Sequence, residues 1–256
     1  MGVRIAGFVL IPKVNTRFTI VFAAALCLMV AGMAYEAKHE ARDRDLRKAL
    51  VAGATVVLIL LAFLVAFFNQ LSGINAILYF APRIFELTGL GRQAALLQSI
   101  GIGVTNLVFT FIGLWLIDRL GRRALLTIGS FGYIASLGLC AWAFFTQTYA
   151  IVPLCIFAFI AAHAVGQGTV IWVLIAEIFP NEHRAEGQSL GSATHWIFAA
   201  LITTAFPTMV SAFAPGWIFL FFCLMMALQL VWVRTMVPET KGVPLEALQL
   251  RLGIKQ

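Results

Sequence analysis

Six long apolar segments follow Lys48, and each is near or above the length of about 20 residues with which a helix crosses a bilayer. They cover roughly 49–80, 94–117, 124–146, 150–176, 188–210 and 215–237. In the whole chain, 61% of the 256 residues are hydrophobic and only 11% are charged. Soluble domains of this size do not have such a composition, so the sequence predicts an all-α integral membrane protein.

The basic residues lie in the short connections between these segments, and their number alternates from one connection to the next. The stretch 38–48 holds five, and the following connections hold two, three, none, one and none before four in the last stretch. Cytoplasmic loops carry the excess of Lys and Arg. The pattern therefore predicts a multi-pass protein of the cell membrane, with 36–48, 118–123, 177–187 and the C-terminal tail in the cytoplasm. The net charge of +7 then fits anionic lipid, and nucleic acid is not expected as a partner.

The N-terminal stretch admits three interpretations. Phe18–Tyr35 is apolar and just long enough to span, but a span would place Arg4, Lys13 and Arg17 outside, against the positive-inside rule. A cleaved signal peptide is the second interpretation, although no clear cleavage motif follows. In the third, which we favour, the segment closes an upstream half that precedes Met1.

The sequence thus predicts three regions. Residues 1–48 form an N-terminal apolar segment and a charged cytoplasmic linker, 49–237 form a bundle of six transmembrane helices, and 238–256 form a cytoplasmic tail.

The stretch 69–80, NQLSGINAILYF, interrupts the first apolar segment with three side-chain amides, those of Asn69, Gln70 and Asn75. Every unpaired polar group in lipid costs several kcal/mol, so a broken helix at membrane depth packs in protein or lines a watery cavity. The amides could instead join neighbouring helices, which is a common role of membrane Asn and Gln. We favour the cavity, because three amides within seven residues exceed what packing requires.

The other polar groups at membrane depth are also neutral. They include Asn106, Gln167 and His195, and two tryptophans, Trp172 and Trp196, lie close by in the sequence. A sugar needs neutral donors and acceptors for its hydroxyls and an aromatic ring for its apolar face. The residues fit that need, whereas the tryptophans alone would also fit interfacial anchoring.

His163 is the second histidine deep in a span. A lone histidine in a membrane helix is more often a hydrogen-bonded packing residue than a proton relay. The sequence therefore predicts a packing role for His163.

Charged residues recur at the ends of successive segments on the side predicted to be cytoplasmic. They occur in Asp118–Arg123 (DRLGRR), in Glu177 with Arg184, and in Pro238–Gly242 (PETKG). The arginines alone would satisfy topology signalling. The acids beside them favour a network of ion pairs that forms in one conformation and acts as a gate.

Neither enzyme motifs nor metal-binding spacings occur in the sequence. There is no HExxH, P-loop or GxSxG pattern, and the four cysteines lie singly in apolar runs. We therefore expect no catalytic residues, no metal and no cofactor.

Four motifs carry a family resemblance: NQLSGINAILYF, DRLGRR, GQGTVIWVLIAEIFPNEHRAEGQSLGSATHW and PETKG. In their order and spacing the chain resembles, over about 50–250, the C-terminal half of the sugar porter family of the major facilitator superfamily. That family includes bacterial sugar/proton symporters and facilitative glucose transporters. The resemblance implies a C-terminal six-helix repeat of a major facilitator fold, with one extra N-terminal apolar segment.

The resemblance also implies roles for individual residues. The sugar-contacting positions are Asn69, Gln70, Asn75, Asn106, Trp172, His195 and Trp196. The extracellular gate would consist of Tyr79 and Phe80. The cytoplasmic charge network would consist of Asp118, Arg122, Arg123, Glu177, Arg184 and Glu239.

Three positions depart from the family pattern. Asn69 stands where Gln is common, His195 where Asn or Gln is usual, and Ala199 where many glucose carriers have Asn. The departures leave the identity of the sugar open.

The expected function is transport of a monosaccharide, a hexose or a pentose, by alternating access, with symport of protons and facilitated diffusion both open. A missing N-terminal half or a second chain would complete the pathway in the lipid bilayer. The alternatives are a membrane sugar sensor that does not transport, and a facilitator that exports another small neutral solute.

Overall fold

A computed structural model of the protein describes residues 46–89 and 91–243. This part of the chain is helical and contains no strand, which confirms the predicted all-α class. Its helices are α1 Leu46–Leu71, α2 Ile74–Glu86, α3 Arg92–Leu120, α4 Arg122–Phe145, α5 Val152–His163, α6 Thr169–Ile178, α7 Arg184–Ala212 and α8 Pro215–Met236. A π-helical turn, Ala164–Gly168, joins α5 to α6, and 3₁₀ turns precede α5 and α7 at Tyr149–Ile151 and Asn181–His183.

These elements combine into six segments that are long and apolar enough to cross a membrane, as the sequence predicts. They are Thr55–Glu86, Arg92–Leu120, Arg122–Phe145, Tyr149–Ile178, Asn181–Ala212 and Pro215–Met236. The first runs beyond the predicted limit at 80, and the fifth begins before the predicted limit at 188. Helical hydrogen bonding continues through the polar residues at these ends, which hydropathy alone does not count.

The chain divides into two units, Met1–Gly53 and Ala54–Gln256. The predicted Phe18–Tyr35 segment and most of the predicted linker lie outside the described residues, as does the tail after Val243. The three predicted regions therefore stay predictions. All the residues of the candidate site described below belong to the second unit.

The first span breaks at Gly73, within the polar stretch. Gly73 has a φ of 81°, in the left-handed region that a side chain disfavours. The Ser72 hydroxyl donates to the Asn69 carbonyl at 2.6 Å and accepts from the Ile74 N–H at 3.3 Å. These bonds satisfy backbone groups that the break would otherwise leave unpaired at membrane depth.

Substituting Gly73 with alanine is expected to destabilise the protein by roughly 2–3 kcal/mol, from the left-handed backbone and from overpacking together. A Cβ at Gly73 would lie 2.6 Å from the ring of Phe222, which is buried and has little room to move. Gly89→Ala is the matched control, since Gly89 has a φ of 86° but nothing within 4 Å of an added Cβ. Thermal unfolding in detergent measures both variants, and equal losses of stability would contradict the predicted clash.

Helix α4 packs closely against two other helices of the bundle along one face. It packs along α8 and α5, and its buried residues include Leu125, Leu126 and Leu137. The π-helical turn also packs against it, where a Cβ on Gly129 would lie 3.0 Å from the Cα of Gly166. Small residues at such a crossing let two helix backbones approach closely.

Helices α3 and α7 are the least covered of the spanning helices. In the most apolar stretch of each of their spans only 17% of the residues are buried, against 61% in the first span. Their outward apolar faces suit contact with lipid or with another group of membrane helices.

Candidate functional site

The three amides of the broken span form a hydrogen-bonded chain. The amide nitrogen of Asn75 donates to Oε1 of Gln70 at 2.8 Å, and Nε2 of Gln70 donates to Oδ1 of Asn69 at 2.9 Å. Asn69 and Gln70 are each 1% exposed. Because the side-chain oxygens of Gln70 and Asn69 each accept from a neighbouring amide, the three side chains hold fixed directions before any ligand arrives.

Gln167 extends this series of hydrogen bonds to a second spanning segment, Tyr149–Ile178. The amide nitrogen of Asn69 donates to its Oε1 at 3.3 Å. Gln167 is fully buried and lies in the π-helical turn, and its own Nε2 is enclosed with no partner among the described residues. Single π-helical turns inside α-helices are frequent at functional sites.

His195 connects the amides to two aromatic rings. Nε2 of Gln70 lies 3.1 Å from Nδ1 and 3.2 Å from Nε2 of His195, so the unprotonated ring nitrogen accepts its second N–H. The ring centroids of Trp172 and Trp196 lie 5.1 Å and 5.0 Å from that of His195. The arrangement therefore places polar and flat apolar groups side by side.

A cavity of about 320 Å³ opens beside these groups. Pockets of roughly 300–1,000 Å³ commonly hold small molecules. The lining consists of Asn69, Ile74, Asn75, Leu78, Asn106, Thr110, His163, Gly168, Ile171, Trp172, His195 and Trp196. Among the residues that the structure describes there, none is Asp, Glu, Lys or Arg. The cavity therefore suits a small, neutral, polar solute.

A second constellation surrounds Arg122 at the junction of α3 and α4. Its guanidinium donates to both carboxylate oxygens of Glu177, from Nε at 2.9 Å and from Nη2 at 2.6 Å. Nη1 donates to Oδ1 of Asp118 and to the carbonyl of Ile117, each at 3.1 Å. Such a two-pronged Arg–carboxylate pair is stronger and more directional than a single contact.

Glu239 caps the N-terminus of α4. One of its carboxylate oxygens accepts the backbone N–H of Arg122 at 2.9 Å and the other that of Arg123 at 3.1 Å. A negative charge at a helix N-terminus satisfies unpaired donors and the helix dipole together. Gly121 makes room for it, because a Cβ there would lie 2.6 Å from the carboxylate. The PETKG motif, which is distant from α4 in the sequence, thus contacts the first residues of this helix.

The remaining members of the predicted charge network take part unequally. The Arg123 guanidinium donates to the carbonyl of Arg234, while Thr240 donates to Glu177 at 2.6 Å. Arg184 lines the same pocket of about 420 Å³ as Arg122 and Glu177, but makes no ion pair within the ranges 46–89 and 91–243.

Comparison with known proteins assigns the chain to a family. The family model described as "Sugar (and other) transporter" matches residues 29–251. The chain belongs to this family of transporters. The family resemblance seen in the sequence is thereby confirmed.

Individual relatives of the chain are also sugar transporters. The D-xylose-proton symporter of Escherichia coli (strain K12) is 36% identical over 201 residues, which cover 76% of this chain and 41% of the symporter. The arabinose-proton symporter of Bacillus subtilis (strain 168) is 36% identical over 212 residues, which cover 82% of this chain and 44% of that relative.

A solved structure gives the same picture. The proton:xylose symporter XylE of the major facilitator superfamily, bound to 6-bromo-6-deoxy-D-glucose, matches with a TM-score of 0.71 at 30% identity, over 89% of this chain and 49% of that one. The chain thus spans less than half the length of these relatives.

In this member of the transporter family, six of the seven predicted sugar-contacting residues line the cavity: Asn69, Asn75, Asn106, Trp172, His195 and Trp196. Gln70 lies behind them and bonds to three of the predicted set. Their roles as sugar ligands stay predictions.

The predicted gate residues lie outside this lining. Tyr79 is 64% exposed, and the ring of Phe80 packs 5.2 Å from that of Phe206. Sequence reasoning missed Thr110 and His163 as lining residues; Thr110 lies one helical turn after Asn106, a spacing that could have indicated it.

Proposed function

We propose that this chain forms the sugar-binding half of a carrier that moves a monosaccharide across the cell membrane by alternating access. The observation that carries the proposal is the cavity of about 320 Å³, in which oriented amides face the same space as two tryptophans and no described lining residue carries a full charge. A hexose or a pentose matches both halves of that lining, with hydroxyls for the amides and an apolar ring face for the indoles.

The hydrogen bonds left open within the site support a hydroxyl-rich ligand. Asn69 uses one amide N–H on Gln167 and Asn75 uses its amide nitrogen on Gln70, while the Asn106 side chain bonds to no described residue. Donors and acceptors that stay unpaired in a membrane span are costly unless water or a ligand satisfies them. A sugar hydroxyl, which both donates and accepts, can satisfy either kind.

The pathway needs a second group of helices. The cavity lining includes exposed side chains such as Trp196, and α3 and α7 are sparsely covered. Alternating access works by rocking two repeats around a site between them. A second six-helix half, on the same polypeptide or on another chain, would cover this face, and the length of the relatives supports that arrangement.

The two ends of the bundle would then act as gates. The bonds that join Asp118, Arg122, Glu177 and Glu239 form a cytoplasmic latch, on the side where the C-terminal tail begins. At the other end of the broken span, Tyr79 and Phe80 would close the outer mouth. A few kcal/mol of such contacts are enough to set the populations of two states.

Binding of D-xylose and D-glucose to the purified chain tests the site directly, and counterflow in vesicles that contain this chain together with the second six-helix half, the complete carrier, tests transport. D-glucuronate is the matched control ligand, because its carboxylate would enter a cavity without a described basic partner and is expected to bind much more weakly. Counterflow with and without a proton gradient separates symport from facilitated diffusion. Binding without counterflow in the complete carrier favours a sugar sensor, and no binding of either sugar would refute the proposal.

A further inference from the structure

His163 lines the cavity, although its position in the sequence predicts only a packing role. It is the last residue of α5, where the chain enters the π-helical turn. The same lining contains Asn69 and Asn106, so the imidazole shares a space with the amides of the site.

One edge of the imidazole is anchored in the core. Its Nδ1 lies 2.7 Å from the hydroxyl of Tyr133, and the two ring centroids are 6.1 Å apart. Tyr133 is fully buried on α4. The bond therefore fixes the orientation of the imidazole from the side away from the cavity.

The other edge of the imidazole is open. A Cβ on Gly168 would lie 3.2 Å from both Nε2 and Cδ2 of His163, and Gly168 itself lines the cavity. Nε2 bonds to no residue in the described part of the chain. It is also absent from the fully enclosed unpaired side-chain atoms there, which are Gln167 Nε2, Thr203 Oγ1, Gln229 Oε1 and Trp232 Nε1. Glycine at 168 thus leaves the free nitrogen facing the cavity.

We propose that Nε2 of His163 binds a hydroxyl group of the sugar, as a contact separate from the amide chain. The inference rests on the proposed function and assigns a further binding residue to the same site. Tyr133 can donate to Nδ1 or accept from it, and a sugar hydroxyl can likewise accept from Nε2 or donate to it. The Tyr133–His163–hydroxyl relay is therefore satisfied in either tautomer of the neutral imidazole, whereas an apolar solute would leave Nε2 unpaired.

A series of monodeoxy sugars tests this contact in the full chain. Binding of D-glucose, D-xylose and each monodeoxyglucose is measured with the wild-type chain and with His163→Phe, which keeps a flat ring but removes the nitrogens. We expect His163→Phe to bind D-glucose about 3- to 10-fold more weakly, the range of one neutral hydrogen bond. For one particular deoxy sugar, the wild-type chain and the variant are expected to bind equally.

Gly168→Ala gives a second route that leaves the bond to Tyr133 in place. Its methyl group would crowd Nε2, so D-glucose binding is expected to weaken while the same deoxy sugar is spared. Gly103→Ala is the matched control, because nothing lies within 4 Å of an added Cβ there. Tyr133→Phe removes the anchor and is expected to lower affinity about 2- to 3-fold, with the same dependence on that hydroxyl.

The results separate this contact from the proposed function. If the wild-type chain binds sugar but both His163→Phe and Gly168→Ala weaken every deoxy sugar equally, or none, the assignment of Nε2 is wrong while the carrier proposal stands. If the wild-type chain binds no sugar, both fail together.

Discussion

Replacing Gln70 with alanine is expected to weaken monosaccharide binding by at least about 100-fold, although Gln70 does not line the cavity. Its side chain donates to Asn69 and to His195 and accepts from Asn75. Removing it leaves Asn75 and His195 without this hydrogen-bond partner and leaves Asn69 with Gln167 alone. Each buried group left unpaired costs about 1–3 kcal/mol, and a factor of 100 corresponds to about 2.7 kcal/mol.

The measurement is binding of D-glucose and its monodeoxy analogues to the purified chain. Substituting a residue that contacts a single hydroxyl weakens binding only of the sugars that carry this hydroxyl. Gln70→Ala is instead expected to weaken binding of D-glucose and of every monodeoxy analogue by a similar factor. Gln98→Ala is the matched control, an amide in a spanning helix that bonds to no described residue. Normal binding by Gln70→Ala would show that the amide chain does not organise the site.

Much of the fold can be predicted because hydropathy reports directly on the membrane. A spanning helix rises 1.5 Å per residue and must be apolar for about 20 residues, so six apolar segments predict six spans. An interruption within 69–80 is also predictable, since Asn69, Gln70 and Asn75 cannot all face lipid. The helix ends are less predictable, because Arg83 and Glu86 bond to each other at 3.1 Å at the end of α2 and stay helical.

The sequence does not predict which amides of the stretch 69–80 line the cavity and which lie behind it. Asn69 and Gln70 are adjacent amides of similar chemistry, yet one faces the cavity and the other lies behind it. Which amide faces which way depends on the turn at Gly73 and on Gln167, which is far away in the sequence.

The π-helical turn explains why the sequence spacing of His163 and Trp172 does not indicate that they share a cavity. In a regular α-helix a residue turns about 100°, so Trp172, nine positions after His163, would lie about half a turn out of phase, on the opposite face. Both line the same cavity. The wider turn over Ala164–Gly168 changes the phase between α5 and α6, and no pattern of apolar residues announces it.

The charge network shows a similar limit. The acids and arginines at the span ends can be identified from sequence, but not their pairing. Glu239 bonds to backbone N–H groups at the start of α4 rather than to an arginine side chain, and Arg122 selects Glu177 and Asp118. Such choices depend on how the helix ends meet in space.

Replacing Arg122 with leucine is expected to lower the stability of the protein by about 1.5–3 kcal/mol, the range of hydrogen bonds to charged groups, because the Glu177 side chain that loses its partner is only partly buried, at 31% exposed. Arg122 is 8% exposed, and its side chain bonds to Glu177, Asp118 and the carbonyl of Ile117. Leucine would fill the space but leave the Glu177 carboxylate with Thr240 as its remaining described donor. Most of the loss comes from Glu177, because Asp118 is largely exposed and screened by water.

Thermal and denaturant unfolding in detergent measure this loss, with Arg83→Leu as the matched control. Arg83 pairs with Glu86 at 3.1 Å on the surface, so its removal should cost less than about 1 kcal/mol. Arg122→Lys is expected to fall between the two, since an ammonium group keeps the charge but not the two-pronged geometry.

Sugar binding separates a latch from a merely structural ion pair. The cavity residues are untouched in Arg122→Lys, so binding is expected to persist while counterflow by the complete carrier falls, because the latch biases one state of the cycle. If Arg122→Lys transported normally and Arg122→Leu were as stable as Arg83→Leu, the charged residues at this end would serve only to set the orientation of the protein in the membrane. If instead Arg122→Lys transports more slowly and Arg122→Leu is less stable than Arg83→Leu, the contacts of Arg122 both stabilise this end of the bundle and control its opening.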